Sequence, residues 1–380
     1  MKRICSMLMA VCIILYSPNA VYATNVNCEI AGKTEKLINY DGKEEAREYA
    51  EGIYSDMLQV VAEQWEDYGM LMEDIDKLYL GEPYIVYSAV DDMQRASYYF
   101  PICKDNEVKF VINVSQNEAG WSATLGYDEV EVLNKMNYID QGGVVYCGTD
   151  AVYIENNTGK TTLYSVEENI KEKELIEFQK MNYQEKKDIV ASEEDIVEIS
   201  SIQEETNSGT VGYTAGCISG NGYMLLSNEN CYVSQGSYNL CWAASIATIY
   251  RYRTGSQTMT AKQVADRINA DYVAAGDDTI KKGFNGVGLY YYKRNFLEYD
   301  RIKQNIQRRF PVMIIGKKTL TNGMKKHAVT VMGYNEMGER HLVNIWDSAS
   351  ESRKVIEYGE YNDFESLGIN YTINYAFSYK

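Results

Sequence analysis

Cys241 stands in the run Gln235-Gly236-Ser237-Tyr238-Asn239-Leu240-Cys241-Trp242-Ala243-Ala244-Ser245-Ile246. The small and apolar residues after it read as a helix with the thiol in its first turn. The unpaired N–H groups and partial positive charge of a helix start favour thiolate over thiol, which makes such a sulfur a nucleophile. Six residues upstream, Gln235 offers a neutral donor that, together with the Cys241 backbone N–H, would surround a developing oxyanion. A base is then required, and the chain holds only two histidines. His327 heads the run HAVTVMGY after the turn residues Asn322-Gly323, so an imidazole is expected at the start of a strand, facing a cleft. His341 follows the polar loop Gly338-Glu339-Arg340 and is expected at the surface. His327 is therefore the expected partner of Cys241. An acceptor must hold its second nitrogen, and the segment HLVNIWD supplies two candidates. Asp347, at the end of that strand, adds charge to the hydrogen bond and is preferred; Asn344 would accept without charge.

These residues need a scaffold, and the chain supplies one in two parts. Residues 1–23 read as a secretory signal, with Lys2-Arg3, an apolar run from about Met7 to Tyr16, and a small-residue cleavage site at Val21-Tyr22-Ala23. The apolar run is shorter than a membrane span, so an extracellular mature chain starting near Thr24 is expected, with no membrane attachment. From Glu44 to Leu78 the periodicity is helical, with a break near Gly69. Strand signals follow at Glu82–Ala89, Ala96–Ile102, Val108–Val114 and Trp121–Gly126, then a short helix at Asp128–Met136, and further strands in Gly143–Ile154 and Thr161–Ser165. Residues 166–205 are a charge-rich connector, and Asn207-Ser208-Gly209-Thr210 is a small polar run suited to cleavage. The boundary is expected between about 188 and 215.

Beyond it, Thr260–Ala270 reads as a capped helix and Arg301–Arg309 as another. Phe310–Gly316, His327–Tyr334 and His341–Trp346 read as strands. Gly276–Tyr292, rich in Gly, Tyr and Asp, reads as a mobile polar loop lining a substrate cleft. Each half is α+β: residues 24–205 form one unit with its connector, and residues 206–380 form the other.

Composition narrows the partners. Residues 24–205 carry 15 Lys/Arg against 39 Asp/Glu, whereas residues 206–380 carry 20 against 15. An acidic half joined to a mildly basic one suggests attraction across an interface. The basic residues are dispersed, which argues against a nucleic-acid surface. Six cysteines remain after the signal. With Cys241 as a free nucleophile the other five are odd in number, which argues against a full disulfide framework, although a Cys217–Cys231 bridge stays open. No CxxC pair suggests zinc, and no cofactor is expected.

The order Gln235, Cys241-Trp242, His327-Ala328-Val329 and a polar residue ending the next strand resembles the papain-like cysteine peptidases. The layout is most similar to the secreted bacterial branch of the staphopain type and the related C39-like peptidases. The resemblance covers roughly residues 212–380. It implies a papain-like domain, with a helical part carrying the cysteine and an antiparallel sheet or half-barrel. It also implies Gln235 in the oxyanion hole, Cys241 as nucleophile, His327 as general base and acid, and protein or peptide substrates. Many relatives have Asn as the third member, often as Asn-x-Trp, which Asn344-Ile345-Trp346 mimics. The acidic half resembles, more loosely, the pro-segments that inhibit such enzymes until cut away; alternatively, residues 24–205 are a permanent binding domain. Alternatives from other classes are a cell-wall peptide amidase or transpeptidase using the same Cys–His pair, and a catalytically inert secreted binding protein.

Overall fold

The computed structural model describes residues 43–165 and 216–380, apart from residues 66–67, 82, 89–96, 106, 118–119, 128–129, 131–143, 148–150, 157–158, 228–229, 321–322, 360–361 and 368. The signal, the connector, the cleavage region and nearly all of the expected helix Asp128–Met136 lie outside the described residues.

The N-terminal part opens with helix α1 (Lys43–Glu63) and the short α2 (Met72–Ile75). Ala46, Ala50, Ile53, Met57 and Val60 recur at helical spacing and are all buried, so α1 offers one apolar face. The expected break occurs at Gly69, which adopts a left-handed φ of 64°. Eight strands follow: β1 (Tyr79–Leu80), β2 (Tyr84–Ser88), β3 (Ser97–Lys104), β4 (Glu107–Asn117), β5 (Gly120–Gly126), β6 (Val144–Cys147), β7 (Ala151–Asn156) and β8 (Gly159–Ser165). Strands β2 to β5 pair antiparallel in sequence order, while β6 joins β2 in parallel. Helix α1 covers Phe100, Ile102, Phe110, Ile112, Val114 and Leu125.

The C-terminal part contains β9 (Ile218–Gly220), β10 (Tyr223–Leu225), α3 (Cys241–Thr254), α4 (Ala261–Asp266), α5 (Asp277–Gly286), β11 (Tyr292–Arg294) and α6 (Tyr299–Gln307). The sheet proper follows, made of β12 (Val312–Leu320), β13 (Gly323–Met337), β14 (Arg340–Asp347), β15 (Ser352–Glu357), β16 (Asp363–Ser366) and β17 (Ile369–Ser378). Every pairing among these six strands is antiparallel: β15 to β14, β14 to β13, β13 to β12, β12 to β17, and β17 to β16. Helix α3 packs on this sheet in a core of Trp242, Ile246, Ile249, Phe284, Met313, Ile315 and Phe377. The fold is α+β, as expected.

Two expectations need correction. Gly276–Tyr292 is no polar loop: Asp277–Gly286 is helical, with Ile280, Gly283 and Phe284 buried. Its glycines hid the helix, and Gly283 has a packing reason to be there. A Cβ at that position would come within 2.8 Å of Ile246 and 2.9 Å of Trp242, so the two helices meet at a distance only glycine permits. The second correction concerns His327, which lies inside β13 rather than at its start, because Gly323–Lys326 pairs with Lys317–Leu320 and extends the hairpin beyond it.

The halves do not form separate sheets. Strand β5 pairs antiparallel with β15, matching Val355 to Leu125 and Ile356 to Thr124. Their cores also merge, since Leu342 and Val355 lie in the cluster under α1.

Candidate active site

Helix α3 places Cys241 as its first residue. Its first turn holds no acidic residue and its last turn holds Arg251 and Arg253, an arrangement that complements the helix dipole. The chain leaves the helix through Gly255 in the left-handed conformation. Buried residues lie on every side of α3, and the Trp242 indole donates to the Val273 carbonyl at 2.9 Å. Thr248 accepts from the Val233 amide at 3.2 Å, which ties the segment leading to Gln235 onto the helix. The helix is therefore a fixed central post. Cys241 is a free thiol at intermediate exposure.

His327 faces this helix start from β13. Its Nε2 lies 2.7 Å from Asp347 Oδ1, and Cys241 stands near enough to the ring to help raise its pKa. With Nε2 taken by the carboxylate, Nδ1 is the nitrogen left for the sulfur. The imidazole is enclosed by Tyr371 and Phe364, with ring centroids 5.4 and 6.1 Å away. Those rings have room because Gly316 sits opposite His327 on β12. A Cβ there would come within 2.5 Å of Phe364 and 2.6 Å of Tyr371.

Burial alone would push His327 toward the neutral ring. The Asp347 charge and hydrogen bond outweigh that, and with the contribution of Cys241 they raise its pKa to about 9. Burial likewise opposes the Asp347 carboxylate, but His327 and Lys354 hold its pKa below the usual range. Asp347 Oδ1 also accepts from the Ala349 amide at 3.0 Å. Lys354 Nζ lies 3.3 Å from Oδ2 at ion-pair distance, though not aligned as a hydrogen bond. The same ammonium donates to the Glu365 carbonyl at 2.7 Å and to its carboxylate at 3.2 Å. Lys354 and Asp347 have no exposed side-chain surface and Glu365 almost none, so imidazole, carboxylate, ammonium and carboxylate form a buried chain of alternating charge.

The other expected residues fall as follows. Gln235 is held beside the acid: its amide donates to the Ser348 carbonyl at 3.1 Å, and its side-chain oxygen accepts from the Ser348 hydroxyl at 3.4 Å. Asn344 is buried but does not meet His327; its side-chain oxygen accepts from the Tyr68 hydroxyl at 3.1 Å. Trp346 donates to the Val233 carbonyl at 3.0 Å. His341 is exposed and stacks on Tyr299 at 4.0 Å between centroids. Cys217 is a free thiol, so the Cys217–Cys231 bridge left open by the sequence does not form.

Sequence reasoning missed Lys354 and Glu365. A lysine sharing a strand face with Ile356 was the available signal, because alternation puts 354 and 356 on one side. A basic rim also escaped notice. The ammonium groups of Lys293, Lys317 and Lys326 lie 4.8, 5.7 and 5.8 Å from the centre of the Tyr375 ring, and Tyr375 belongs to the buried cluster against which Cys241 packs. Asp277 neutralises one of them, pairing with Lys293 at 2.7 Å and accepting from Tyr375 at 2.6 Å.

A cysteine at a helix start, an imidazole near it and an acid behind the imidazole are the arrangement that thiol hydrolases use. Residues 228–375 match the Peptidase_C39 like family. The match spans Gln235, Cys241, His327 and Asp347, and it supports a papain-like cysteine peptidase. No curated protein matches the chain. Among the described residues there is no cluster of potential metal ligands, and no helix is long and apolar enough to cross a membrane.

Proposed function

We propose that the protein is a secreted cysteine endopeptidase acting through Cys241, His327 and Asp347, with Gln235 in the oxyanion hole. The observation that carries this reading is the contact series at the start of α3: Cys241 against the His327 ring, and Nε2 of that ring 2.7 Å from Asp347. The Cys241 thiolate attacks a peptide carbonyl carbon, and the negative charge that develops on oxygen is met by the Cys241 N–H and Gln235. His327 gives its Nδ1 proton to the departing amine as the C–N bond breaks, leaving an acyl-thioester. Water then attacks the thioester while His327 accepts its proton, and the acid product leaves. Asp347 keeps the ring oriented and the imidazolium stable throughout.

The secretory-type start of the chain supports export, and the acidic 24–205 segment supports synthesis as a zymogen whose activating cut falls between about 188 and 215. Sequencing every N-terminus of the active form tests that point; the absence of a new N-terminus between about 188 and 215 would overturn it. The catalytic assignment is tested by Cys241→Ala. Hydrolysis of casein and fluorogenic peptides should fall by roughly a million-fold, the scale on which removing a covalent nucleophile acts, with the thermal midpoint unchanged. Hydrolysis at the wild-type rate would reject Cys241 as the nucleophile.

A further inference from the structure

We propose that the folded N-terminal unit, residues 43–165, is a permanent partner of the catalytic half: cleavage of the connector leaves it bound as a second chain that completes the acid end of the active site. The catalytic wording rests on the peptidase reading above, whereas the association itself does not.

Three kinds of contact carry the inference. The first is backbone pairing. Without β5, strand β15 would have β14 as its one sheet neighbour and would present a bare edge. The second is apolar. Leu342 and Val355 are buried in the cluster beneath α1, and in return Tyr99, Val108 and Val111 are buried among Phe364, Ile369 and Tyr371. Separation would expose both sets at once, far from the small contact of a removable plug.

The third is polar and specific. The backbone amides of Asp363 and Glu365 on β16 donate to Ser122 Oγ at 3.3 Å and to Thr124 Oγ1 at 3.1 Å, so hydroxyls of the N-terminal unit satisfy a strand of the catalytic half. Asn117 donates to the Asp363 carboxylate at 3.0 Å, and Tyr68 to Asn344 at 3.1 Å. Arg340 reaches the Gly52 carbonyl and pairs with Asp56 at 3.1 Å, while Tyr49 donates to Glu357.

These contacts end on the catalytic charges. Gly126, the last residue of β5, lies over the stem of Lys354, where an added Cβ would sit 3.3 to 3.6 Å from the lysine Cγ, Cδ and Cε. Lys354 is the ammonium facing Asp347, and Glu365 is the carboxylate that balances it. The N-terminal unit thus keeps water from the far side of the acid that holds His327. None of the buried residues around Cys241 comes from residues 43–130. Among the described residues, the unit therefore braces the site from behind, away from the nucleophile.

The test uses the full chain carrying a site for a specific protease in the connector. After cutting, native size-exclusion chromatography with mass analysis is run over a dilution series. Both fragments should elute together at every concentration down to the nanomolar range. Elution of two separate fragments under native conditions would overturn the proposal. In the same cut chain, Thr124→Val removes the acceptor for the Glu365 amide and leaves that donor buried and unpaired, so dissociation should rise about tenfold or more. A Thr124→Ser variant should restore it, and equal behaviour of all three would also count against the interface. Alkylation of Cys241 by iodoacetamide, measured in parallel, isolates the catalytic reading. An inert thiol in a chain whose fragments stay together would reject the peptidase while leaving the partnership intact.

Discussion

The two ends of the Cys241–His327–Asp347 array are built in opposite ways. At the Cys241 end, the sulfur is partly exposed and the backbone that acts on it is local: the helix it starts and the Gln235 segment, with Trp242 locked to Val273. At the acid end, Asp347 is fully buried and its partners come from β13, β15 and β16, with β5 of the N-terminal half as cover. The difference follows from what each group needs. A nucleophile must meet substrate, so it stands at a helix end where local backbone supplies the field. An acid that only orients and charges an imidazole works best in low dielectric, where its field is strong and its desolvation must be offset by a full set of partners.

If that contrast is right, damage at the acid end should register in stability and pH dependence as well as in rate. The largest effect is expected for Asp347→Ala, which should lower kcat/KM by roughly 10²- to 10⁴-fold, the range of a misdirected acid–base group. It should also move the alkaline limb of the pH profile. In the wild type that limb reflects His327 losing its proton near pH 9, a value raised by Asp347 against the pull of burial. Without the carboxylate, burial dominates and the limb shifts to lower pH. The stability linkage has the same sign. Because the folded-state value is raised, the His327–Asp347 contribution is whole below about pH 6.5 and is lost as pH rises through about 9. Urea unfolding between pH 6 and 10 should therefore lose this increment in the wild type and show no such loss in Asp347→Ala.

Lys354→Met comes next. It leaves two buried carboxylates without their ammonium, so it should destabilise the fold by about 3–5 kcal/mol, read from the shift in denaturation midpoint. Lys354→Met combined with Glu365→Gln should recover part of that loss. A single variant as stable as wild type would mean that the acid end is not held by its charge chain.

The smallest effect is expected at the nucleophile end, on the basic rim. Lys326→Gln should lower kcat/KM a few-fold for peptides with Asp or Glu beside the cleaved bond, leave neutral peptides unchanged, and lose its effect at high salt, as a partly screened surface charge should. An equal loss on neutral peptides would point to a packing role for Lys326 instead.

How much of this was legible in the chain depended on the range of the interactions. The helix break at Gly69, the capping box of Thr260 and Gln263, and the strands from 84 to 126 were readable because each is signalled by residues within a few positions of one another. Helix α5 was hidden because its Gly283 answers to Trp242 and Ile246, some forty residues away in the chain. Strands β15 and β16 gave no usable signal, since buried polar groups such as Lys354, Asp363 and Glu365 break the alternation that marks a strand, whereas β17 does alternate along Ile369–Tyr375 and was overlooked.

The sequence by itself singled out Cys241 and the helix start that acts on it, through a cysteine opening an apolar helix with Gln235 six residues before it. It also determined the short choice of base, because it contains two histidines. Only the tertiary structure shows that Asp347, and not Asn344, meets His327. Both sit on one strand three residues apart, and which of them meets His327 depends on the β13–β14 register and on Tyr68 engaging Asn344 from the other half. It also decided that Lys354 and Glu365 belong to the site and that β5 seals them, because a buried charge is specified by partners gathered from distant strands and no local pattern encodes that gathering.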